Sequence, residues 1–288
     1  MFKCYALFSL LFVQLCFTNE LKLIQTKDQI SVQLNGKSIL TQNAQENFRP
    51  YIHPIIAPDG IGELTQFSPG HHKHQTGLYW GFTRVNGRDY FHNPGNGYFK
   101  RKSLRIITAS GKSVSWEVVY DLLDASKEVI MTEKKVWTFH KKEGHYILDL
   151  NWHGKAVKAL TIGEYKYGGL FLRMPWTKKT KSEAINNEGL RNKKIEGKRA
   201  KWIDLAMQVK PRKDFAHIVI MDHPDNPGYP TPWRLDWQFG LGPCYARLGD
   251  WKIKAGDTVI FNHRLLIYTG KTNLPLVNKT WAEHIKKQ

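Results

Sequence analysis

Apolar and polar side chains alternate with a period of two over three long runs, at residues 113–121, 145–153 and 258–270. Successive side chains of a β-strand point to opposite faces, so this period predicts half-buried strands in a sheet with one wetter face. Shorter runs with the same character predict further strands at residues 21–26, 29–34, 37–41, 79–85, 88–92, 128–139, 201–209 and 216–221.

Turn residues separate several of these runs. Asn35-Gly36 and Asn86-Gly87 each lie between two predicted strands, and Asn-Gly favours the type I′ turn of a tight hairpin. The one helix candidate is the C-terminal tail, where Thr280 and Glu283 are spaced as a capping box. No linker or repeat divides the chain, so we predict one all-β domain over residues 19–288. It is a large antiparallel β-sandwich with few short helices, and a supersandwich resembling galactose-mutarotase-like folds is its expected variant.

The first 18 residues have the composition of a secretory signal peptide. Lys3 precedes an almost wholly apolar stretch at 5–17, which is too short to cross about 30 Å of hydrocarbon. We therefore expect a secreted or periplasmic protein without an integral membrane span after cleavage. Lipid anchoring at Cys16 is disfavoured because small residues do not precede it. Cleavage leaves Cys244 as the one cysteine, which excludes an intramolecular disulfide.

The chain is strongly basic, with 43 Lys and Arg against 25 Asp and Glu and a formal net charge of +18. Such a surface attracts polyanions. The segment at 178–201 is the most basic part, and it is either a solvated insertion between strands or a binding patch. Because no nucleic-acid-binding motif is present, we expect a carbohydrate partner, including anionic carbohydrate, and no nucleic acid.

Three histidines fall within four residues in the segment at 69–80, and His53 lies in a second polar segment at 49–54. In an extended backbone His72 and His74 project to the same side. Such a pair can ligate a metal, act as acid or base near neutral pH, or be structural. HExxH motifs, cysteine clusters and EF-hand loops are absent from the sequence. We therefore expect no required cofactor, with a divalent metal at the histidine cluster as the alternative.

A second candidate cluster directly follows the apolar strand predicted at 216–221. Four prolines stiffen the loop, and rigid loops at strand ends often carry sites. Asp222 and His223 are placed to orient or polarise a group, and Trp233 offers a flat apolar face to a sugar ring. A proline-locked structural crossover is an equally good interpretation of this loop.

A third segment, at 163–173, contains the carboxylate of Glu164 and the guanidinium of Arg173. The guanidinium can bind an acidic group of a substrate through two hydrogen bonds. The catalytic candidates are therefore His53, His72, His74, Asp222 and His223. The candidates for substrate binding are Arg49, Tyr79, Trp80, Glu164, Arg173, Trp233 and Arg234. We expect these segments to meet at one end of the sandwich. GxSxG, P-loop and dinucleotide-binding motifs are absent from the sequence, which disfavours those enzyme classes.

Seven short motifs of the chain are shared with one group of exported bacterial proteins. They are Arg49-Pro50-Tyr51 with His53-Pro54, His71-His72-Lys73-His74, Gly77-Leu78-Tyr79-Trp80, Val85-Asn86-Gly87, Gly197-Lys198-Arg199 with Trp202, Asp222-His223-Pro224 with Asn226, and Tyr229-Pro230 with Trp233. Over residues 48–270 the chain resembles the Bacteroidetes and Planctomycetes family labelled methane oxygenase PmoA-like.

The resemblance implies a β-sandwich protein associated with carbohydrate-processing genes. A membrane methane oxygenase is excluded, because no stretch of about 20 apolar residues follows the signal. Members of the family commonly have His where this chain has Arg234. If that His is catalytic, the resemblance implies that this chain binds its substrate without turning it over.

We therefore predict an exported carbohydrate-active protein that uses histidine acid–base chemistry. It is a hydrolase, lyase or isomerase acting on a glycan or a sugar derivative. Two alternatives stay open on the sequence. The first is a non-catalytic glycan-binding surface module that uses the same aromatic residues and the basic segment, and the second is a His-ligated metalloenzyme.

Overall fold

A computed structural model describes residues 20–70 and 72–286. The predicted signal peptide at 1–18 and His71 lie outside the described residues. The strands, in chain order, are β1 Leu21–Gln25, β2 Gln29–Leu34, β3 Lys37–Asn43, β4 Tyr51–Ile55, β5 Leu78–Gly81, β6 Phe99–Thr108, β7 Ser110–Gly111, β8 Ser113–Leu123, β9 Val129–Lys142, β10 His145–Ala156, β11 Leu160–Ile162, β12 Gly169–Leu172, β13 Ser182–Asn186, β14 Trp202–Met207, β15 Ala216–Met221, β16 Trp233–Leu235, β17 Leu241–Pro243, β18 Trp251–Ile253 and β19 Thr258–Thr269. Helix α1 spans Leu274–His284, and short 3₁₀ helices span Asn192–Ile195 and Tyr245–Leu248.

Within the described residues the strands form two large sheets and one small ribbon. The first sheet has the order β16-β17-β12-β5-β4-β3-β2-β1-β7, and the second has the order β13-β14-β15-β19-β10-β9-β8-β6. Strands β11 and β18 form the ribbon. Neighbouring strands are antiparallel, which confirms the predicted antiparallel β-sandwich.

The core lies between the two sheets, where the alternating residues of the sequence meet. The apolar positions of β8 and β10 that alternate in the sequence are all buried; they are Val114, Trp116, Val118, Tyr120, Tyr146, Leu148, Leu150 and Trp152. Trp80 of the first sheet stacks on Trp152 of the second, with ring centroids 4.5 Å apart. Each fully buried aliphatic or Phe side chain of this kind contributes roughly 1.5–3 kcal/mol.

The structure corrects three details. Residues 88–92, predicted as a strand, form turns after the Asn86-Gly87 hairpin, whose φ angles of 48° and 80° fit a type I′ turn. The polar segment at 49–54, for which the sequence predicts no strand, mostly forms β4. Helix α1 begins after Asn273, whose side chain accepts a hydrogen bond from the amide of Leu276, so the predicted capping box is wrong.

Strand pairing decides which residues face away from the core on the first sheet. Tyr51 of β4 pairs with Tyr79 of β5, and Tyr79 pairs with Phe171 of β12. Directly paired residues of antiparallel strands share a face, so the three rings lie together on the outer face, opposite Trp80. At the sheet edge Arg234 of β16 lies opposite Gly242 of β17.

Candidate active site

A pocket of about 320 Å³, which we call the histidine pocket, lies on this outer face. Its lining residues are His72, His74, Gln75, Phe91, His92, Lys166, Tyr167, Phe171, Arg234 and Asp236. They come from strands β12 and β16 and from four loops. The loops contribute imidazole, phenol and amine groups, whereas the sheet contributes an aromatic floor that includes Phe171.

The turn after the Asn86-Gly87 hairpin builds the most structured part of the pocket. One carboxylate oxygen of Asp89 accepts hydrogen bonds from the amides of Phe91 and His92, at 2.9 and 3.0 Å. Its other oxygen lies 2.6 Å from Nδ1 of His92. Burial opposes ionisation of Asp89, but the hydrogen bonds from His92 outweigh it and lower the pKa of this carboxyl. The carboxylate therefore fixes the proton of His92 on Nδ1 and leaves Nε2 as an acceptor.

Tyr167 completes a chain of three groups. Its hydroxyl lies 3.0 Å from Nε2 of His92. Burial raises the pKa of Tyr167, with a further contribution from the hydroxyl of Tyr165. The phenol is therefore protonated at neutral pH. Its one proton has two acceptors in reach, Nε2 of His92 at 3.0 Å and the hydroxyl of Tyr165 at 3.4 Å. Asp89, His92 and Tyr167 form a continuous path for a proton, and we call it the relay.

His74 lies beside the relay, with its ring centroid 4.4 Å from that of His92 and 5.7 Å from that of His72. Burial, reinforced by the neighbouring rings and by Arg49, lowers the pKa of His74 to about 3. The sequence grouped His72 with His74, and the structure places both in the histidine pocket. It places His53 and His223 elsewhere.

The neutral state of His74 predicts a pH dependence of stability. Because its native pKa lies below the ordinary value, the unfolded chain takes up this proton at a higher pH than the folded protein does. The stability that the folded protein gains from keeping this ring neutral is therefore fully present above about pH 6.5. It is lost as the pH falls toward about 3. We expect urea unfolding midpoints to decrease between about pH 7 and about pH 4, and to decrease less in H74Q. An equal decrease in both proteins would contradict the buried, neutral assignment.

Arg49 supports the pocket from beneath. Its guanidinium is buried, stacks on the ring of Tyr79 at 3.8 Å, and donates to the carbonyls of Phe91 and His74. Burial lowers the pKa of Arg49 to about 10, which keeps it charged at neutral pH. Tyr79 is only 1% exposed. Both predicted substrate-binding residues therefore lie below the pocket, where Arg49 holds the backbone on which its walls are built.

Arg173 and Arg234 also have protein partners. Arg173 is buried and forms an ion pair with Asp236 at 3.1 Å, and it donates to the carbonyl of Gln238 at 2.7 Å. Arg234 donates to Glu196 at 2.9 Å and lies over the ring of Tyr167. Arg173 thus fixes the carboxylate of Asp236 in the pocket wall, while Arg234 itself lines the pocket.

His53 lies in a different depression of about 880 Å³, which we call the basic groove. We define it by six of its lining residues, His53, Glu63, Phe67, Lys178, Lys179 and Lys210. Nδ1 of His53 lies 3.0 Å from the hydroxyl of Thr65, and Nε2 lies 3.3 Å from Glu63. Burial lowers the pKa of His53, although Glu63 opposes the shift.

Asp222 is a structural residue. It is fully buried, and its two oxygens accept four hydrogen bonds, from the amide of His223, the side chain of Asn226, and both the amide and the hydroxyl of Thr231. These bonds tie the proline-rich loop to the end of β15. No acceptor capacity of Asp222 is directed at the histidine pocket.

His223 lies on the outer face of the second sheet, in a third pocket of about 420 Å³ that is also lined by Asp149, Arg264 and His284. Its ring faces that of His284, with centroids 4.8 Å apart. The expected meeting of His53, His72 and His223 in one centre is therefore wrong. His223 lies on the second sheet, and His53 and His72 line two different depressions of the first.

The two tryptophans chosen as sugar platforms are core residues. Trp80 is 2% exposed and Trp233 is fully buried, with its indole donating to the carbonyl of Ala200. Neither ring presents a face to solvent, so stacking of a sugar on them is excluded. Glu164 is exposed in a loop outside the histidine pocket, where its amide donates to Asp250 at 2.8 Å.

Among residues 20–70 and 72–286, no three His, Cys, Asp or Glu side chains are grouped so as to hold a metal ion. Within the same residues, none of the helices has the length and apolar character needed to cross a bilayer. Cys244 is buried, and burial raises the pKa of its thiol to about 12.

Comparison with known proteins gives one family match. The sequence model described as "Family of unknown function (DUF6807)" matches residues 29–282. The resemblance to the PmoA-like family is therefore wrong, and the inference drawn from Arg234 fails with it. No curated protein matches the chain.

Solved structures with similar folds are distant in sequence. A GH36 α-galactosidase from Geobacillus stearothermophilus has 10% identity and a TM-score of 0.40, covering 88% of this chain and 41% of that one. The chain thus spans about two fifths of that enzyme. A galactose mutarotase-like protein from Lactobacillus casei has 9% identity and a TM-score of 0.38, covering 86% of this chain and 100% of the other. A galactose mutarotase related enzyme from Lactobacillus acidophilus has 7% identity and a TM-score of 0.36, covering 86% and 97%.

Proposed function

Because the chain belongs to DUF6807, a family of unknown function, we propose an activity from the histidine pocket itself. The protein is a carbohydrate-active enzyme that moves protons on a sugar through His92. The observation that carries this proposal is the relay, in which Asp89, His92 and Tyr167 are joined by contacts of 2.6 and 3.0 Å at the wall of an aromatic-lined pocket.

The shape and chemistry of the pocket suit one sugar unit. A sugar ring has apolar C–H faces and an edge of hydroxyl groups. The partly exposed rings of His92 and Tyr167 supply apolar surface, above a floor of Phe91 and Phe171 that is almost fully buried. Lys166 and Asp236 supply donors and acceptors. Small-molecule sites generally combine apolar walls with a few convergent polar groups, and 320 Å³ is at the lower end of their range.

In the proposed mechanism Tyr167 and His92 act as one acid–base unit. The phenol donates its hydrogen bond to Nε2 of His92. When the phenol oxygen takes a proton from the substrate, the phenol's own proton passes to His92. Asp89 stabilises the imidazolium that forms. Return of the proton to another atom of the sugar completes an isomerisation. Transfer of the proton to the departing oxygen, as the carbon–oxygen bond breaks and the carbon–carbon double bond forms, completes an elimination.

The available carboxylates favour these reactions over glycoside hydrolysis. Hydrolysis by the usual route uses two carboxyl groups on opposite sides of the scissile bond. Among the described residues that line the pocket the one carboxylate is Asp236. It is held by Arg173 and by the amides of Gln238 and Gly240. We therefore propose an isomerase or a lyase, which acts after export if the predicted signal peptide is cleaved.

Proton NMR of a panel of neutral and acidic mono- and disaccharides tests this function. With the wild-type protein we expect at least one sugar to be converted into an isomer or an unsaturated product. Binding without conversion across the panel would favour the glycan-binding alternative and contradict the enzyme. Release of two sugars from a disaccharide, without an unsaturated product, would show hydrolysis and contradict the assigned reaction class.

A further inference from the structure

The basic groove carries positive charge that the protein does not neutralise. Lys178, Lys179 and Lys210 are exposed at its rim. Among the described residues none of these lysines pairs with a carboxylate, and Glu63, the one acid that lines the groove, faces His53. The groove is therefore electropositive in a chain that already carries a net charge of +18.

An exposed aromatic ring lies in the same groove. Phe67 is 43% exposed, and its ring contacts those of Tyr51 and His53 with centroids 5.2 and 5.9 Å away. These contacts hold the ring in position and leave part of it available to a ligand. The combination of a fixed apolar ring with uncompensated amines suits a sugar that carries a carboxylate.

The groove and the histidine pocket share two walls. In the first wall the amide of Ser68 donates to the carbonyl of Gln75 at 2.7 Å, which joins the strip beside Phe67 to a residue of the pocket. In the second wall, Arg173 holds Asp236 of the pocket through its side chain and accepts from the amide of Gln66 through its carbonyl.

A pair of tryptophans lies beside the second wall. Trp176 is flanked by Pro175 and Thr177, which line the groove, and Trp237 follows Asp236 in the pocket. The two indole rings are 5.3 Å apart, and Trp237 is 68% exposed. A chain of sugars lying in the groove therefore has an aromatic surface between it and the pocket.

We propose that the basic groove binds an oligosaccharide containing uronic acid units, whose terminal unit reaches the histidine pocket. The inference that the ligand is a saccharide rests on the proposed function. The inference that the groove prefers a carboxylate rests on the lysines alone. The lysines attract the carboxylates, Phe67 contacts one sugar face, and Trp237 contacts the unit next to the pocket.

Calorimetric titration with trigalacturonic acid tests the proposal, with its methyl ester as the uncharged ligand of the same shape. We expect the acid to bind at least about tenfold more tightly than the ester at low salt, and the difference to shrink as salt is added. The variant K178E/K179E/K210E should lose about tenfold or more of the affinity for the acid. The control K252E/K254E/K271E changes the net charge equally at exposed sites outside the groove, and it should bind as wild type.

Equal affinity for acid and ester, or an equal loss in both triple variants, would overturn the groove assignment. Tighter binding of a short single-stranded oligothymidylate than of the acid would also overturn it, in favour of nucleic acid. Failure of the proposed enzyme is distinguishable, because the affinities for acid and ester are measured on the wild-type protein and do not depend on whether it converts any sugar.

Discussion

Replacing His92 by Asn should reduce turnover of the sugar substrate by about 10²–10⁴-fold, which is the usual contribution of a positioned acid–base group. The Asn side chain can still donate to Asp89 from the position of Nδ1, so the turn keeps its hydrogen bond. It has no atom at the position of Nε2, so the proton path to Tyr167 is cut. Initial rates measured by NMR, with circular dichroism to check the fold, give the result.

The matched control for this experiment is H145N. His145 is also partly buried and also hydrogen bonds through Nδ1, but it lies at the start of β10 in the second sheet. We expect H145N to turn over substrate as the wild type does. Wild-type rates in H92N would remove His92 from the mechanism, and Y167F should impair turnover in the same direction as H92N if the relay operates.

The substitution D222N should lower the free energy of unfolding by about 3 kcal/mol and leave turnover by the folded protein unchanged. All four of the hydrogen bonds that reach Asp222 are donated to it, and two of them end on each oxygen. An amide in its place points NH₂ at groups that are themselves donors, and a buried donor without an acceptor costs about 1–3 kcal/mol on top of the lost charge-assisted bonds. Urea unfolding of both proteins measures the difference.

The exposed carboxylate of Asp257 provides the control. D257N should change the free energy of unfolding by less than about 0.5 kcal/mol. A stable D222N protein that has lost turnover would instead return Asp222 to the catalytic group in which its sequence position placed it.

The sandwich could be predicted because the alternation of apolar and polar residues along a strand directly indicates which side chains are buried. Trp116 in β8 and Leu148 in β10 are core residues at the positions that the period of two assigned to the core. The same period argues against one of our site predictions. Tyr79 and Trp80 are neighbours in β5 and must face opposite sides, so both could not contact one ligand on one face.

The relay was missed because its local structure was predicted wrongly. In a strand at 88–92, Asp89 and His92 would point to opposite faces. In the observed turn the carboxylate instead accepts hydrogen bonds from the amides two and three residues later and meets the imidazole. The signal available in the sequence was the Asn86-Gly87 turn followed by an acidic residue and a histidine three positions apart.

The separation of the histidines could not be predicted from the sequence at all. Which face His53, His72 and His223 occupy depends on long-range strand order, and β4 and β15 belong to different sheets. Local alternation fixes only which residues of one strand share a face. Tyr167 lies in the segment at 163–173, from which we selected Glu164 as a candidate instead. Its hydroxyl reaches His92 only because of the path that the loop takes across the sheet.

A crystal structure of the protein soaked with a sugar that it converts tests the central claim most directly. The account predicts one sugar unit in the histidine pocket, beside Lys166 and Asp236, with a reacting oxygen or carbon-bound proton in reach of the Tyr167 hydroxyl. That hydroxyl should lie about 2.6–3.2 Å from the heavy atom that carries the proton. A converted sugar bound elsewhere, for example beside His223 on the second sheet, with the histidine pocket holding only solvent, would contradict it.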